Sequence, residues 1–234
     1  MASIKQIAWV IGASIALVAL IGWWFHAHNQ PPELLLDANE KIEGPLSPKE
    51  LEINNPEVTN TMNRIAVLKT NLGDIEIELF EDTMPITTGN FIKLAEEKFY
   101  DGTKFHRIIK DFMIQGGDPN SKTDNVITYG TGGPGYTIQD EFVENPLLSN
   151  VRGTIAMANT GQPNSGGSQF FINTVDNTGL DFNKEPFSSK HPVFGRIVKG
   201  MDVVDAVSVV KTGERDLPVE PVIVESVTIR SQAE

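Results

Sequence analysis

Residues 105–118 read FHRIIKDFMIQGGD, and the side chains in this stretch decide how the rest of the chain is read. From Phe105 to Ile109 the pattern alternates as a strand does, which puts Arg107 on one face with the apolar Phe105 and Ile109. An ion pair, or a stem lying along a sheet surface, would account for an arginine there. The residues that follow ask for more. Phe112 and Met113 are adjacent apolar side chains, Gln115 adds an amide, and Gly116-Gly117 permits a sharp backbone exit at positive φ. A guanidinium, an aromatic ring, a thioether and an amide thus fall within nine residues.

A second cluster has the same character: Met157-Ala158-Asn159, then Gly167-Ser168-Gln169-Phe170-Phe171-Ile172. Amides and aromatics recur without a nucleophile and its partner. Together the two segments resemble the cyclophilin family of peptidyl-prolyl cis/trans isomerases. The family pattern F-H-R-I-I-x-x-F-M-x-Q-G-G-D is met at every fixed position by residues 105–118, and its M-A-N…G-S-Q-F-F-I by the second cluster. The resemblance runs from about Met62 to Arg230 and leaves the first 60 or so residues unexplained.

The resemblance implies an isomerase that needs no metal, cofactor or nucleophile. In it Arg107 would donate to the prolyl nitrogen, and Phe112, Met113, Phe171 and Leu180 would wall the proline pocket. Gln115 and the backbone at Asn159 would hold the substrate peptide, Ala158 and Gln169 would line the groove, and His191 would stand at the pocket edge. His106 is expected to make structural hydrogen bonds, because an isomerisation without proton transfer gives it no catalytic task. Proline-containing peptides and unfolded proteins are the implied partners. A binding module that holds proline segments with incidental turnover is the alternative, although binding alone does not call for a donor like Arg107. The chain departs from the family at Gly179, where many members carry tryptophan before the leucine of the rim, so weak binding of cyclosporin-like ligands is expected. An additional residue near Gln162 and a longer loop between Leu180 and His191 also depart from the pattern.

Composition excludes several other readings. The formal net charge of the 234 residues is −12, which makes nucleic acid an unsuitable partner. The absence of cysteine removes disulfide scaffolds, thiolate nucleophiles and cysteine-based zinc sites. The glycine-rich residues 129–135 (YGTGGPG) lack the Lys-Ser/Thr ending of a phosphate-binding loop and the G-x-G-x-x-G spacing of a dinucleotide fold. They read as a loop, which the resemblance would place beside the substrate groove. Ser168 sits in GGSQF, which is not the G-x-S-x-G of a nucleophile elbow.

Around the two motifs the pattern is mainly β. Residues 64–69 and 74–79 flank Asn71-Leu72-Gly73 as a hairpin, with Ile75, Ile77 and Leu79 on one face and Glu76 and Glu78 on the other. Residues 83–98 form a helix from the spacing of Phe91, Leu94 and Ala95, with Thr87 or Thr88 as N-cap. Residues 190–197 and 222–230 read as strands, and 200–210 as a short helix with Val203, Val204 and Val207 inward. The expected fold is a closed eight-stranded antiparallel β-barrel capped by two helices, with an all-β sandwich as the second choice.

Residues 7–25 (IAWVIGASIALVALIGWWF) carry no charge and as a helix would span about 28 Å at ~1.5 Å per residue, close to the ~30 Å hydrocarbon core. The Trp23-Trp24-Phe25 ending suits a retained helix at the headgroup level better than the competing cleaved signal peptide. Residues 1–28 therefore read as a transmembrane anchor, with His26 and His28 as interface residues and not a metal pair. Residues 29–61 hold five prolines and seven acids against two lysines, the composition of an extended acidic linker. Residues 62–234 are the isomerase domain. Lys5 precedes the span and the next basic residue is Lys41, which favours a cytoplasmic N-terminus with the domain extracytoplasmic, on the periplasmic side in a bacterium.

Overall fold

The chain from Ile65 to Leu79 forms the expected hairpin, with the first strand shifted by one residue and Gly73 paired inside the second strand instead of lying in the turn. In the computed structural model, which describes residues 63–185 and 189–232, β1 (Ile65–Thr70) and β2 (Gly73–Leu79) pair antiparallel with Ile65 opposite Glu78 and Thr70 opposite Gly73. Six further strands complete one sheet: β3 (Arg107–Ile109), β4 (Met113–Gly116), β5 (Thr154–Met157), β6 (Phe170–Asn173), β7 (Val193–Lys199) and β8 (Val224–Arg230). All ladders are antiparallel, and the spatial order is β3-β4-β6-β5-β7-β2-β1-β8. A single sheet rules out the sandwich. The candidate span at 7–25 and the linker lie outside the described residues. Among those described, no helix is long and apolar enough to cross a membrane.

The sheet curls until its edges meet, but β3 and β8 do not pair along their length. The seam is made by the segments next to them: Phe105 N donates to Val222 O (2.9 Å), Val224 N to Thr103 O (2.8 Å) and Gly102 N to Val224 O (2.8 Å), around one isolated bridge between Lys104 and Ile223. The expected closed barrel is thus a curled sheet joined over a few residues, because β3 is only three residues long and the chain before it has already turned inward.

That inward turn also corrects the strand reading of residues 105–109. Phe105 and His106 are both buried, Ile108 is buried, and Arg107 and Ile109 are partly exposed. Phe105 therefore does not share a face with Arg107. Its backbone is committed to the seam, and regular alternation starts only at Arg107. From there the register separates two faces. One cross-strand row, Ile108, Ile114, Ile172, Ile155, is fully buried inside the curl. It runs on through Gly195 to Leu79, and at Gly195 a Cβ would stand 2.6 Å from Glu78 O and 3.1 Å from both Ile155 and Ile77, so no larger residue fits. The neighbouring row, Arg107, Gln115, Phe171, Ala156, points to the opposite, outer face.

Two helices cover the core. Helix α1 (Pro85–Glu96) buries Phe91, Leu94 and Ala95 as its spacing requires, and Phe91 joins Tyr100, Phe170 and Phe194 with ring centroids 5.0–5.7 Å apart. Its N-terminus is not capped by Thr87 or Thr88, both of which are buried inside the helix. Pro85 occupies the first turn, and the Glu141 carboxylate, 54–55 residues away, accepts from Ile86 N (3.0 Å) and Thr87 N (2.8 Å). A distant carboxylate serves the orphan donors that a local cap would otherwise satisfy. Helix α2 (Met201–Ser208) is two residues shorter at its end than the pattern suggested, and buries Val204 and Val207 with Val203 at the margin.

Candidate active site

The outer row sets the site. Arg107 lies directly across from Gln115, and Gln115 across from Phe171, so three of the expected residues stand side by side on the neighbouring strands β3, β4 and β6. Met113, two residues before Gln115, points the same way in the next pair with Ile109 and Asn173. Met113 and Phe171 are buried, whereas Phe112, Ala158 and Leu180 are partly exposed. Gly117 gives the sharp exit after this segment: its φ is +81°, and a Cβ there would sit 2.4 Å from Ser168 O. Gly116 does not take a positive φ.

A chain of amides runs from the strand to the glycine-rich loop. Gln115 Nε2 donates to Gln169 Oε1 (3.0 Å), and Gln169 Nε2 donates to Gly132 O (2.8 Å). Ala158 N donates to Gln169 O (2.9 Å), and Asn159 Nδ2 to Lys190 O (2.7 Å). His191 stands edge-on to Phe171, ring centroids 5.3 Å apart. Its Nδ1 is 3.1 Å from Met157 O, and since a carbonyl only accepts, Nδ1 carries the proton. Burial lowers its pKa, with the Met157 carbonyl opposing. The backbone N–H of His191 donates to Leu180 O (3.0 Å), which fixes the rim leucine beside the histidine.

His106 departs from expectation. It is buried, and neither ring nitrogen has a hydrogen-bond partner. The Lys104 backbone is close enough to favour the protonated ring but not in hydrogen-bonding geometry, and a Cβ on Gly130 would come within 3.8 Å of Nε2. Burial dominates and lowers the pKa. The ring is therefore a neutral packing group at pH 7.

Several residues that shape the site carry no local sequence signal. Asn177 Nδ2 donates to Phe112 O (2.9 Å) and Asn173 Oδ1 (2.8 Å), and Asn173 Nδ2 to Asn150 Oδ1 (3.2 Å). Asn150 Nδ2 reaches Asp181 Oδ1 (2.9 Å) and His191 O (3.0 Å). This largely buried network ties Phe112, the turn at Leu180 and His191 into one unit. Asp216 approaches Arg107 from the segment after α2, with Oδ2 3.6 Å from Nε and both side chains nearly half exposed. At that distance and exposure the pair orients more than it stabilises. At 3.6 Å the contact is an ion pair and not a hydrogen bond, with Nε toward the carboxylate. At Gly179 a Cβ would meet nothing within 4 Å, so the rim is open there. Among the described residues no group of three potential ligands is placed to hold a metal ion.

A curled antiparallel sheet with two helices packed on it, and an arginine, glutamine and phenylalanine in one outer row, agrees with the fold that the two motifs implied. The model of the cyclophilin type peptidyl-prolyl cis-trans isomerase/CLD family matches residues 65–229. The chain belongs to that family. It is 46% identical over 167 residues to peptidyl-prolyl cis-trans isomerase B of Escherichia coli, covering 68% of this chain and 96% of that one. It is 42% identical over 173 residues to a peptidyl-prolyl cis-trans isomerase of Acinetobacter baylyi, covering 72% and 87%. A crystal structure of a cyclophilin type isomerase from Cryptosporidium parvum matches with a TM-score of 0.62 and 30% identity, covering 73% of this chain and 99% of that one. The same protein has also been solved in the presence of the dipeptide Ala-Pro.

Proposed function

We propose that this isomerase turns Xaa-Pro bonds through Arg107, in unfolded or newly exported chains, while its N-terminus holds it at a membrane. The observation that carries the catalytic half is the outer row in which Arg107 stands beside Gln115 and Phe171. Rotation about a prolyl bond meets a barrier of about 18–20 kcal/mol because the nitrogen lone pair is delocalised into the carbonyl. A donor aimed at that nitrogen localises the lone pair in the twisted state and lowers the barrier without any covalent step. Arg107 supplies the donor, with Asp216 beside its Nε. Phe112, Met113, Phe171 and Leu180 supply an apolar niche for the pyrrolidine ring. Gln115, Asn159, Ala158 and Gln169 lie where the flanking peptide would run, and His191 bounds the niche as a neutral ring.

Isomerisation kinetics of a proline tetrapeptide test this reading. Micromolar protein should accelerate a reaction that otherwise takes tens to hundreds of seconds. An absence of acceleration would replace the enzyme with a proline-peptide binding module.

The membrane half rests on the sequence of residues 7–25 and on the acidic linker after it. A tethered catalyst meets chains as they emerge from export, at high local concentration and before misfolding competes. The domain would then face the extracytoplasmic side. Intact mass of the membrane-extracted protein and protease added to cells stripped of any outer barrier decide the matter. A mature start beyond residue 25 means a cleaved signal, and a protected domain means the opposite orientation.

A further inference from the structure

Beside Arg107 a cleft of about 890 Å³ extends beyond the residues of the two motifs. Arg107, Gln115 and Asn159 line it together with two loops, one around Val126 to Gly130 and one from Gly213 to Val219. A smaller hollow of about 200 Å³ shares Val126, Leu217 and Val219 with it.

The two loops are fastened to each other and to the barrel. Arg215 donates from Nη1 to Val126 O (3.0 Å) and from Nη2 to Tyr129 O (3.0 Å), across 86–89 residues of sequence. The buried Asp118 carboxylate accepts from Gly130 N and from Asn120 N, and Asn120 Nδ2 donates to Thr128 O (3.2 Å). Arg215 and Asp216 both adopt left-handed backbone, φ +60° and +59°, a strained conformation for side chains of this kind. That strained turn places one side chain on the opposite loop and the next on Arg107.

The fastened loops present apolar side chains to solvent. Ile127 is 78% exposed, Val219 53% and Val126 44%. Charge within the cleft balances: Arg107 and Arg215 stand against Glu214 and Asp216, and the Arg215 donors are taken up by carbonyls. A rigid, open cleft with an apolar rim and little net charge, continuous with Arg107 and Gln115, suits an apolar side chain.

We infer that this cleft is a subsite for apolar residues of the substrate chain itself, at positions flanking the proline. An extended chain advances ~3.3 Å per residue, so a residue two or three positions from the proline lies ~7–10 Å along the groove. The enzyme would then favour prolines next to hydrophobic segments, which unfolded chains expose and folded ones bury. The inference rests on the reading of Arg107 and Gln115 as part of the substrate groove.

The test uses the full-length chain in detergent with a proline tetrapeptide and hexapeptides made from it by adding Leu-Leu or Gln-Gln at either end. At one end, the Leu-Leu extension should raise kcat/KM ~10-fold over Gln-Gln, the size expected for burying part of two leucines. In the Ile127→Ser/Val219→Ser double variant the Leu-to-Gln ratio at that end should fall to near one. Equal rates for both extensions at both ends overturn the subsite, as does a ratio unchanged in the double variant. If wild type fails to accelerate even the tetrapeptide, the isomerase reading falls and takes the subsite with it. Acceleration without a leucine preference overturns the subsite alone.

Discussion

Replacing Arg107 with alanine should separate rate from stability more sharply than any other change in this molecule. In the fold, the one ion pair of this arginine among the described residues is with Asp216: Nε lies 3.6 Å from Oδ2, with the side chains 43% and 47% exposed. Exposed pairs of this kind contribute ~0.2–1 kcal/mol, and a domain of this size loses about 2–4 °C in Tm per kcal/mol, so the melting temperature should drop by no more than ~4 °C. On the reaction the same side chain is the proposed donor to the prolyl nitrogen, and the one charged donor in the outer row. Removing one well-placed donor to a transition state costs roughly 2.7–4 kcal/mol, which is about 10²–10³ in kcat. Arg107→Lys should recover little, since an ammonium lacks the planar fork that pairs with Asp216 while presenting other donors. Protease-coupled isomerisation of the tetrapeptide gives the rate, and a thermal melt on the same sample gives the stability. The reasoning fails if the alanine variant keeps more than a third of wild-type kcat/KM, or if its melt shows that the rate loss is a loss of fold.

Asp216→Ala should lower kcat/KM about two- to fivefold through loss of guanidinium orientation, and have little further effect in the Arg107→Ala background; additive losses in the kinetic cycle would show that Asp216 acts elsewhere. Gly179→Trp should strengthen cyclosporin binding measured by titration, because the position is open and an indole adds apolar area to the rim; equal affinities for both proteins would refute that placement of the rim. Stability should fall as pH drops below ~6.5. Burial lowers the folded-state pKa of both His106 and His191, so on acidification the unfolded chain takes up protons that the folded one resists. Glu76, Glu78 and Glu81, whose pKa values lie below the ordinary 4.5, add to the loss only under more acid conditions. Urea midpoints between pH 7.5 and 5.5 check the histidine part, and a midpoint that stays flat or rises on acidification would contradict it.

The hairpin, the two helices and most of the strands were legible in the residues alone, and the motifs supplied the candidates for the site. Each of these is written in contiguous residues. Alternation in Ile75, Ile77 and Leu79 fixes which face is buried, and the spacing of Phe91, Leu94 and Ala95 fixes a helix face. The two motifs name Arg107, Gln115 and Phe171, and pairing of β3 with β4 and β4 with β6 sets them in one row. Local periodicity failed where a backbone had a distant commitment. Phe105 leaves the face of Arg107 because its N–H belongs to Val222, and α1 needs no threonine cap because Glu141 reaches it from beyond the glycine-rich loop. His106 could not be known to be without partners until the groups around it were placed.

Folding brings Asp216 to Arg107, Arg215 to the loop at Val126, and the asparagines at 150, 173 and 177 to Phe112 and His191. Those contacts join residues up to about a hundred positions apart through side chains that are individually ordinary. No spacing rule marks them, because what selects each partner is the curl of the sheet and the meeting of loops at its edge. Residue type along the chain was enough to say which chemistry is present. Where the guanidinium points, what holds it, and how far the groove extends beyond it depend on how the ends of eight strands are brought together.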